Sequence, residues 1–198
     1  MPSHFCLFYM PRLIITWRKF SFVALQHIIL NKMLWFSFAS MALLYGVMLL
    51  GIYITASHQG LSCPDWPLCP NGFNFPSQKY FFEYIHRVMA VITAGVIFTT
   101  AFYSVQKAKS VRKTAVAASI IISVQILLGI FVINTKLEAL LVATHLSTGV
   151  LLFAMTLITF LLSYRIAKGN SRLWHIIAVL YLVIFLLGCV SMLLSSYQ

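Results

Sequence analysis

The pentapeptide Glu83-Tyr84-Ile85-His86-Arg87 opens one long apolar stretch of this 198-residue chain, and His145 stands near the corresponding end of another. Ionisable groups are costly inside a bilayer unless paired, ligated or hydrated, so histidines in otherwise charge-free spans call for an explanation. Two imidazoles projecting from facing helices are a donor set for an iron porphyrin. They fix the metal, apolar side chains take the macrocycle, and cationic groups at the rim take the propionates. Arg87, Lys79 and Lys136 lie near that rim. The competing reading is that each histidine only hydrogen-bonds to a neighbouring helix, which explains one histidine more easily than two at matched depth.

Glu83 precedes His86 by three residues, so both project from one helical face. A carboxylate there has three readings: it orients the imidazole, it works as an acid or base at the porphyrin edge, or it complements the dipole at a helix start. Spacing alone leans toward the last. A second cluster lies just upstream, in Gly60-Leu61-Ser62-Cys63-Pro64-Asp65-Trp66-Pro67-Leu68-Cys69-Pro70. Two cysteines with five residues between them, amid prolines, suit a small disulfide loop on an oxidising side, whose role is either structural or redox. Cys6 and Cys189 read as ordinary apolar residues.

The elements that must position these groups follow from composition. With 61% hydrophobic residues, 9% charged and three acids, the chain lacks the charged surface of a soluble domain and reads as an all-α integral membrane protein. Its net charge of +11 comes from short basic groups between apolar spans, which gives no continuous face for nucleic acid. Uncharged stretches of spanning length run over Leu34–Ser57, Val88–Gln106, Thr114–Thr135, Ala139–Tyr164 and Leu173–Ser196, the second starting nearer Phe81 or Phe82. The fold expected is a four-helix transmembrane bundle made of two helical hairpins, plus a fifth C-terminal transmembrane helix.

Residues 1–32 form a basic and apolar extension, either an interfacial segment or the product of a start assigned upstream of Met33; a signal peptide is not indicated. Residues 33–164 form the four-helix domain with an outer loop over 57–82, and residues 165–198 a loop and the fifth span. Basic residues concentrate before the first span, between the second and third, and between the fourth and fifth. The positive-inside rule then places the N-terminus in the cytoplasm and the cysteine loop outside, in a multi-pass protein of the cell membrane.

Leu50-Gly51-Ile52 and Leu128-Gly129-Ile130 hold matching places in the first and third spans, each followed by an outer loop and a histidine-bearing helix. Such a duplication relates two hairpins by an axis along the membrane normal. Gly51 is further from His86 than Gly129 is from His145 by 19 residues, which the long first loop absorbs. With helices starting near Phe82 and Glu138, the histidines lie about 6 and 10 Å below the outer boundary, close enough for one porphyrin.

Taken together, the cysteine loop, Glu83-Tyr84-Ile85-His86-Arg87, Gln125-Ile126-Leu127-Leu128-Gly129 and His145 resemble the heme A synthase family, in its half-length form with a single four-helix unit, over roughly Leu34 to Tyr164. The resemblance implies oxidation of heme O to heme A for terminal oxidases: the methyl group at porphyrin C8 is hydroxylated twice, and the diol loses water to leave a formyl group. It implies His86 and His145 as heme-iron ligands, Glu83 as a residue needed for chemistry, and Cys63 and Cys69 as the outer-loop pair. Arg87 is a further candidate for contact with the heme. Many members have two four-helix halves, one for substrate heme and one for heme b, so the heme b site is in doubt here. Expected partners are membrane lipid, heme O and an electron acceptor that the sequence does not name. Optional ones are a second copy of the chain and a heme O synthase or terminal oxidase. The alternatives are a bis-histidine heme b electron-transfer protein and a heme-free assembly or thiol module. Gln125, polar in mid-helix, reads either as helix glue or as a site residue.

Overall fold

The computed structural model describes residues 10–63, 69, 77–105, 109–168 and 179. It contains four long helices: α1 (Met10–Ala56), α2 (Phe81–Val105), α3 (Lys109–Asn134) and α4 (Ala139–Lys168). Each is long and apolar enough to cross a membrane, α1 by its portion Leu30–Ala56. The fifth span expected over Leu173–Ser196, and both Cys6 and Cys189, lie outside the described residues.

α1 differs from expectation at its start. The boundary placed at Met33 is not marked by any break, and one helix runs through it from Met10. After Pro11 the chain meets neither proline nor glycine until Gly46, so nothing in the backbone stops the helix. α2 begins at Phe81, as the early position of Glu83 and His86 suggested, and a 3-10 turn at Gln78–Tyr80 leads into it.

α1 and α3 end in the same way. Gln59 N–H bonds the Ile54 carbonyl at 3.0 Å and His58 N–H the Thr55 carbonyl at 3.2 Å; Leu137 N–H bonds Val132 at 2.9 Å and Lys136 N–H bonds Ile133 at 3.0 Å. These paired bonds define the Schellman termination, in which one residue turns into the left-handed region. His58 (φ 54°) and Lys136 (φ 57°) fill that position without being glycine. The hydroxyls of Ser57 and Thr135 bond back to Tyr53 and Phe131, at 2.7 and 2.8 Å. A shift of 78 residues carries every one of these groups of α1 onto its counterpart in α3. After the α3 turn, Glu138 caps α4 by accepting the Leu141 N–H at 3.0 Å.

The helices form a ring in which α1 packs on α2, α2 on α3, α3 on α4 and α4 on α1. The core draws on all four, with Met41 and Leu44, Ala94 and Ile97, Ala118 and Ile122, and Leu152, Phe153 and Phe160. Small and hydroxyl residues let the backbones approach, as membrane bundles require. Ser40 and Thr100 join α1 to α2 through a 2.9 Å hydrogen bond. Most of the other buried hydroxyls bond carbonyls of their own helix, so they carry no unsatisfied polarity into the interior. A shift of 59 residues maps His86 onto His145, Thr100 onto Thr159 and Ser104 onto Ser163, the last four all buried. Large apolar side chains such as Trp35, Val91, Phe102 and Leu140 point outward, the arrangement expected where the solvent is lipid.

Candidate functional site

His86 follows the first residue of α2 by five positions and His145 follows the first of α4 by six. At 1.5 Å per residue they lie about 8 and 9 Å into their helices, a closer match than the sequence suggested. Both rings are half-buried.

Each ring lies against the glycine of the Leu-Gly-Ile repeat. A Cβ on Gly51 would come within 3.2 Å of His86 Cε1, and one on Gly129 within 3.5 Å of His145 Cε1. At Gly51 a side chain would crowd the imidazole, whereas at Gly129 it would meet the ring at ordinary contact distance. His86 Nδ1 lies 3.1 Å from the Val47 carbonyl, one turn before Gly51. A carbonyl only accepts, so Nδ1 carries the proton and Nε2 keeps a free lone pair, the form an axial ligand needs. Gln125 holds the place of Val47 in the other half. Its side-chain Nε2 donates to the His145 carbonyl at 2.8 Å, and its Oε1 accepts from the Thr148 hydroxyl. His145 Nδ1 is buried and has no hydrogen-bond partner among the described residues. Two half-buried imidazoles with uncommitted nitrogens, each beside a glycine, fit an iron porphyrin better than they fit helix glue.

Glu83 is buried and does not touch the His86 ring nitrogen that Val47 orients. Its Oε2 accepts from the Ser62 hydroxyl at 2.8 Å and from the Cys63 N–H at 2.9 Å. Its Oε1 pairs with Arg87 at 2.6 Å, one turn along α2. Arg87 also donates to the Cys63 carbonyl at 2.8 Å, so the carboxylate and guanidinium grip both backbone groups of Cys63. Charge-assisted bonds of this kind are roughly twice as strong as neutral ones. The Cys63 and Cys69 sulfurs are at bonding distance, with Cα atoms 4.8 Å apart, and both residues are buried. The outer loop is thereby fastened to the helix that carries His86. Of the other rim cations, Lys79 lies 5.7 Å from the Tyr80 ring centroid and Lys136 occupies the exposed turn after α3.

Sequence reasoning did not find the Val47 carbonyl or Ser62. A backbone acceptor has no side-chain signature, and Ser62 gains its role only when a loop 21 residues from Glu83 folds back. Gly51 and Gly129 were visible as a repeat, and the place they leave for an imidazole is what that repeat encodes.

The family model of the cytochrome oxidase assembly proteins (COX15-CtaA) matches residues 71–195, well over half of the chain. The chain belongs to this family. As a member with four helices of spanning length, it is a multi-pass membrane protein. It is 25% identical over 162 residues to the heme A synthase of Shewanella oneidensis, an alignment covering 71% of this chain and 49% of that protein. With the heme A synthase of Lysinibacillus sphaericus it shares 27% identity over 131 residues, covering 63% of this chain and 43% of the relative. The chain thus spans about half the length of the curated relatives it matches.

Proposed function

We propose that this chain is a membrane oxidoreductase of heme A biosynthesis that takes heme O as substrate and oxidises its C8 methyl group to a formyl group. The observation that carries this reading is the pair of glycine-backed histidines at equal depth, in a chain whose relatives are named heme A synthase. His86 and His145 hold the iron through their Nε2 atoms, and Arg87, with Lys79 and Lys136 nearby, supplies cationic character at the propionate rim. A bound iron porphyrin would supply the redox chemistry at this site. Each of two successive hydroxylations would replace a C–H hydrogen of the substituent by a hydroxyl drawn from water, with two electrons passing to an external acceptor and two protons released, and loss of water from the diol would leave the formyl group.

In this reading Glu83 is the acid–base residue. Its burial one turn from His86, on the same face, supports the assignment. The bundle is two hairpins related by a pseudo-twofold axis, supported by the shared helix ends and glycine–histidine pairs. The N-terminus is cytoplasmic and the cysteine loop faces outward, as the basic loops indicate.

The test is to purify the chain from cells that make heme O and follow the bound pigment. The expected result is a low-spin bis-imidazole spectrum and conversion of heme O to the alcohol and then to heme A. Protein that binds heme b and never alters heme O would be an electron carrier. Protein without any Soret band would leave the thiol-module reading.

A further inference from the structure

The two histidines have matched places in the repeat and unmatched surroundings. His86 donates Nδ1–H to the Val47 carbonyl, and its Cε1 lies 3.2 Å from where a Gly51 Cβ would be, closer than side chains ordinarily tolerate. The ring is wedged against α1 and held by a hydrogen bond, so both its rotation and its tautomer are set. His145 lies 3.5 Å from the Gly129 position, an ordinary contact, and its Nδ1 has no hydrogen-bond partner among the described residues. Gln125, standing where Val47 stands, reaches the His145 backbone carbonyl and the Thr148 hydroxyl. It fixes the helix beneath His145, and its own backbone reaches the ring only outside ordinary hydrogen-bond geometry, where the Val47 carbonyl holds His86 at 3.1 Å.

We propose that the pseudo-symmetric pair is functionally unequal: His86 is the permanent anchor of the iron, and His145 is the ligand that lets go to open a coordination position. The proposal rests on the heme-ligation reading above and adds a division of labour between its two residues. An imidazole whose distal N–H is hydrogen-bonded is a better electron donor and is already oriented for ligation. Losing such a partner typically lowers metal affinity 10- to 100-fold. With both rings competing for one iron, the ring whose Nδ1 lacks a well-formed hydrogen bond yields first. Release from the α4 side needs no change in α1 or α2, because neither the Val47–His86 bond nor the Glu83–Arg87 grip on Cys63 involves His145.

The experiment compares His86→Ala with His145→Ala, each purified as the full chain in detergent and checked for monodisperse elution. The readouts are pigment per protein, spin state, and carbon monoxide uptake by the reduced form. His145→Ala should keep at least half of the wild-type pigment, turn high-spin and bind carbon monoxide readily. His86→Ala should lose roughly tenfold or more of its pigment. Reduced wild-type protein should take up carbon monoxide without losing pigment. Equal loss in both variants, or greater loss in His145→Ala, overturns the proposal. If His86→Ala is not recovered intact, Gly51→Ala against Gly129→Ala makes the same comparison, since only the first forces a ring to move. Gly51→Ala must then lower pigment more, and equal or reversed effects overturn the proposal. A wild-type protein with no low-spin bis-imidazole signal is a different failure, because it removes the ligation itself and the division of labour with it.

Discussion

The α1–α2 half and the α3–α4 half share a frame and differ in what is hung on it. Both end their odd-numbered helix in a Schellman turn with a non-glycine residue at positive φ, and both place a glycine behind a histidine. Among the described residues, only the first carries a buried cysteine pair and an ionic grip from the histidine helix on the loop that holds it. The second turns within a few residues and caps α4 with an exposed Glu138. Features needed to hold two rings at one depth are thus duplicated. Among the described residues, the cysteine pair and the buried ion pair are confined to the first half. On the function proposed above, the difference makes the repeat a mounting device, with the chemistry added to one copy.

Breaking the grip should have the largest effect. Glu83→Ala removes the carboxylate from a buried pair and leaves Arg87, Cys63 N–H and Ser62 short of a partner. Loss of one member of a buried pair costs about 3–5 kcal/mol, because the other charge stays behind. Denaturation of the detergent-solubilised protein should show that loss. Glu83→Gln keeps an acceptor for Cys63 N–H and Ser62, so its stability loss should be well under half as large. Heme should still bind in Glu83→Gln, while conversion of heme O stops or stalls at the alcohol. A Glu83→Gln protein that makes heme A at the normal rate, with a stable outer loop, would make the carboxylate a fastener only.

The cysteine pair sharpens the same contrast with a smaller expected effect. Thiol reagents should modify Cys63 and Cys69 in the intact protein only after reduction, since the sulfurs are at bonding distance and both residues are buried. Replacing both by serine should cost about 2 kcal/mol, the loop-closure entropy of so short a ring. Because Glu83 and Arg87 hold the Cys63 backbone independently, His86 should keep its ligation in that variant. Ready labelling without reductant would point to a pair that cycles rather than one that braces the loop.

What the sequence made legible, and what it hid, divides along the same line. Helix spans, matched histidine depth and the Leu-Gly-Ile repeat could all be read, because hydropathy, helical rise and repetition are local and periodic. The partners of Glu83 could not. A carboxylate three residues before a histidine suggested a partner on its own helix face; the structure gives it Arg87 there, and adds Ser62 and Cys63 across a loop that has no period. Nor could the different fates of the two rings be read. That difference depends on how closely an imidazole approaches the backbone of Val47 or of its counterpart Gln125, and every residue carries the same backbone. The continuous helix from Met10 through Lys32 was hidden for another reason: hydropathy marks where a helix can enter lipid, and a helix need not end there.

Gln125 offers the mildest test. It occupies the place of Val47, so Gln125→Val writes the first half's residue into the second. The variant removes the bond from Nε2 to the His145 carbonyl and the acceptor for Thr148. Neither partner is orphaned: the His145 carbonyl remains inside α4, and the Thr148 hydroxyl still bonds the Thr144 carbonyl at 2.8 Å. Gly149, whose Cβ position lies 3.2 Å from Nε2, leaves room for a smaller side chain. Side-chain hydrogen bonds between membrane helices average only about 0.6 kcal/mol, so the loss should be about 1 kcal/mol once the lost packing is added. It should therefore fall below the losses for Glu83→Ala and for the double-serine variant, and the pigment should stay bound. A loss as large as that of Glu83→Ala would mean that the second half is held by a polar lock of its own, and the view that only the first half carries specialised attachments would fail.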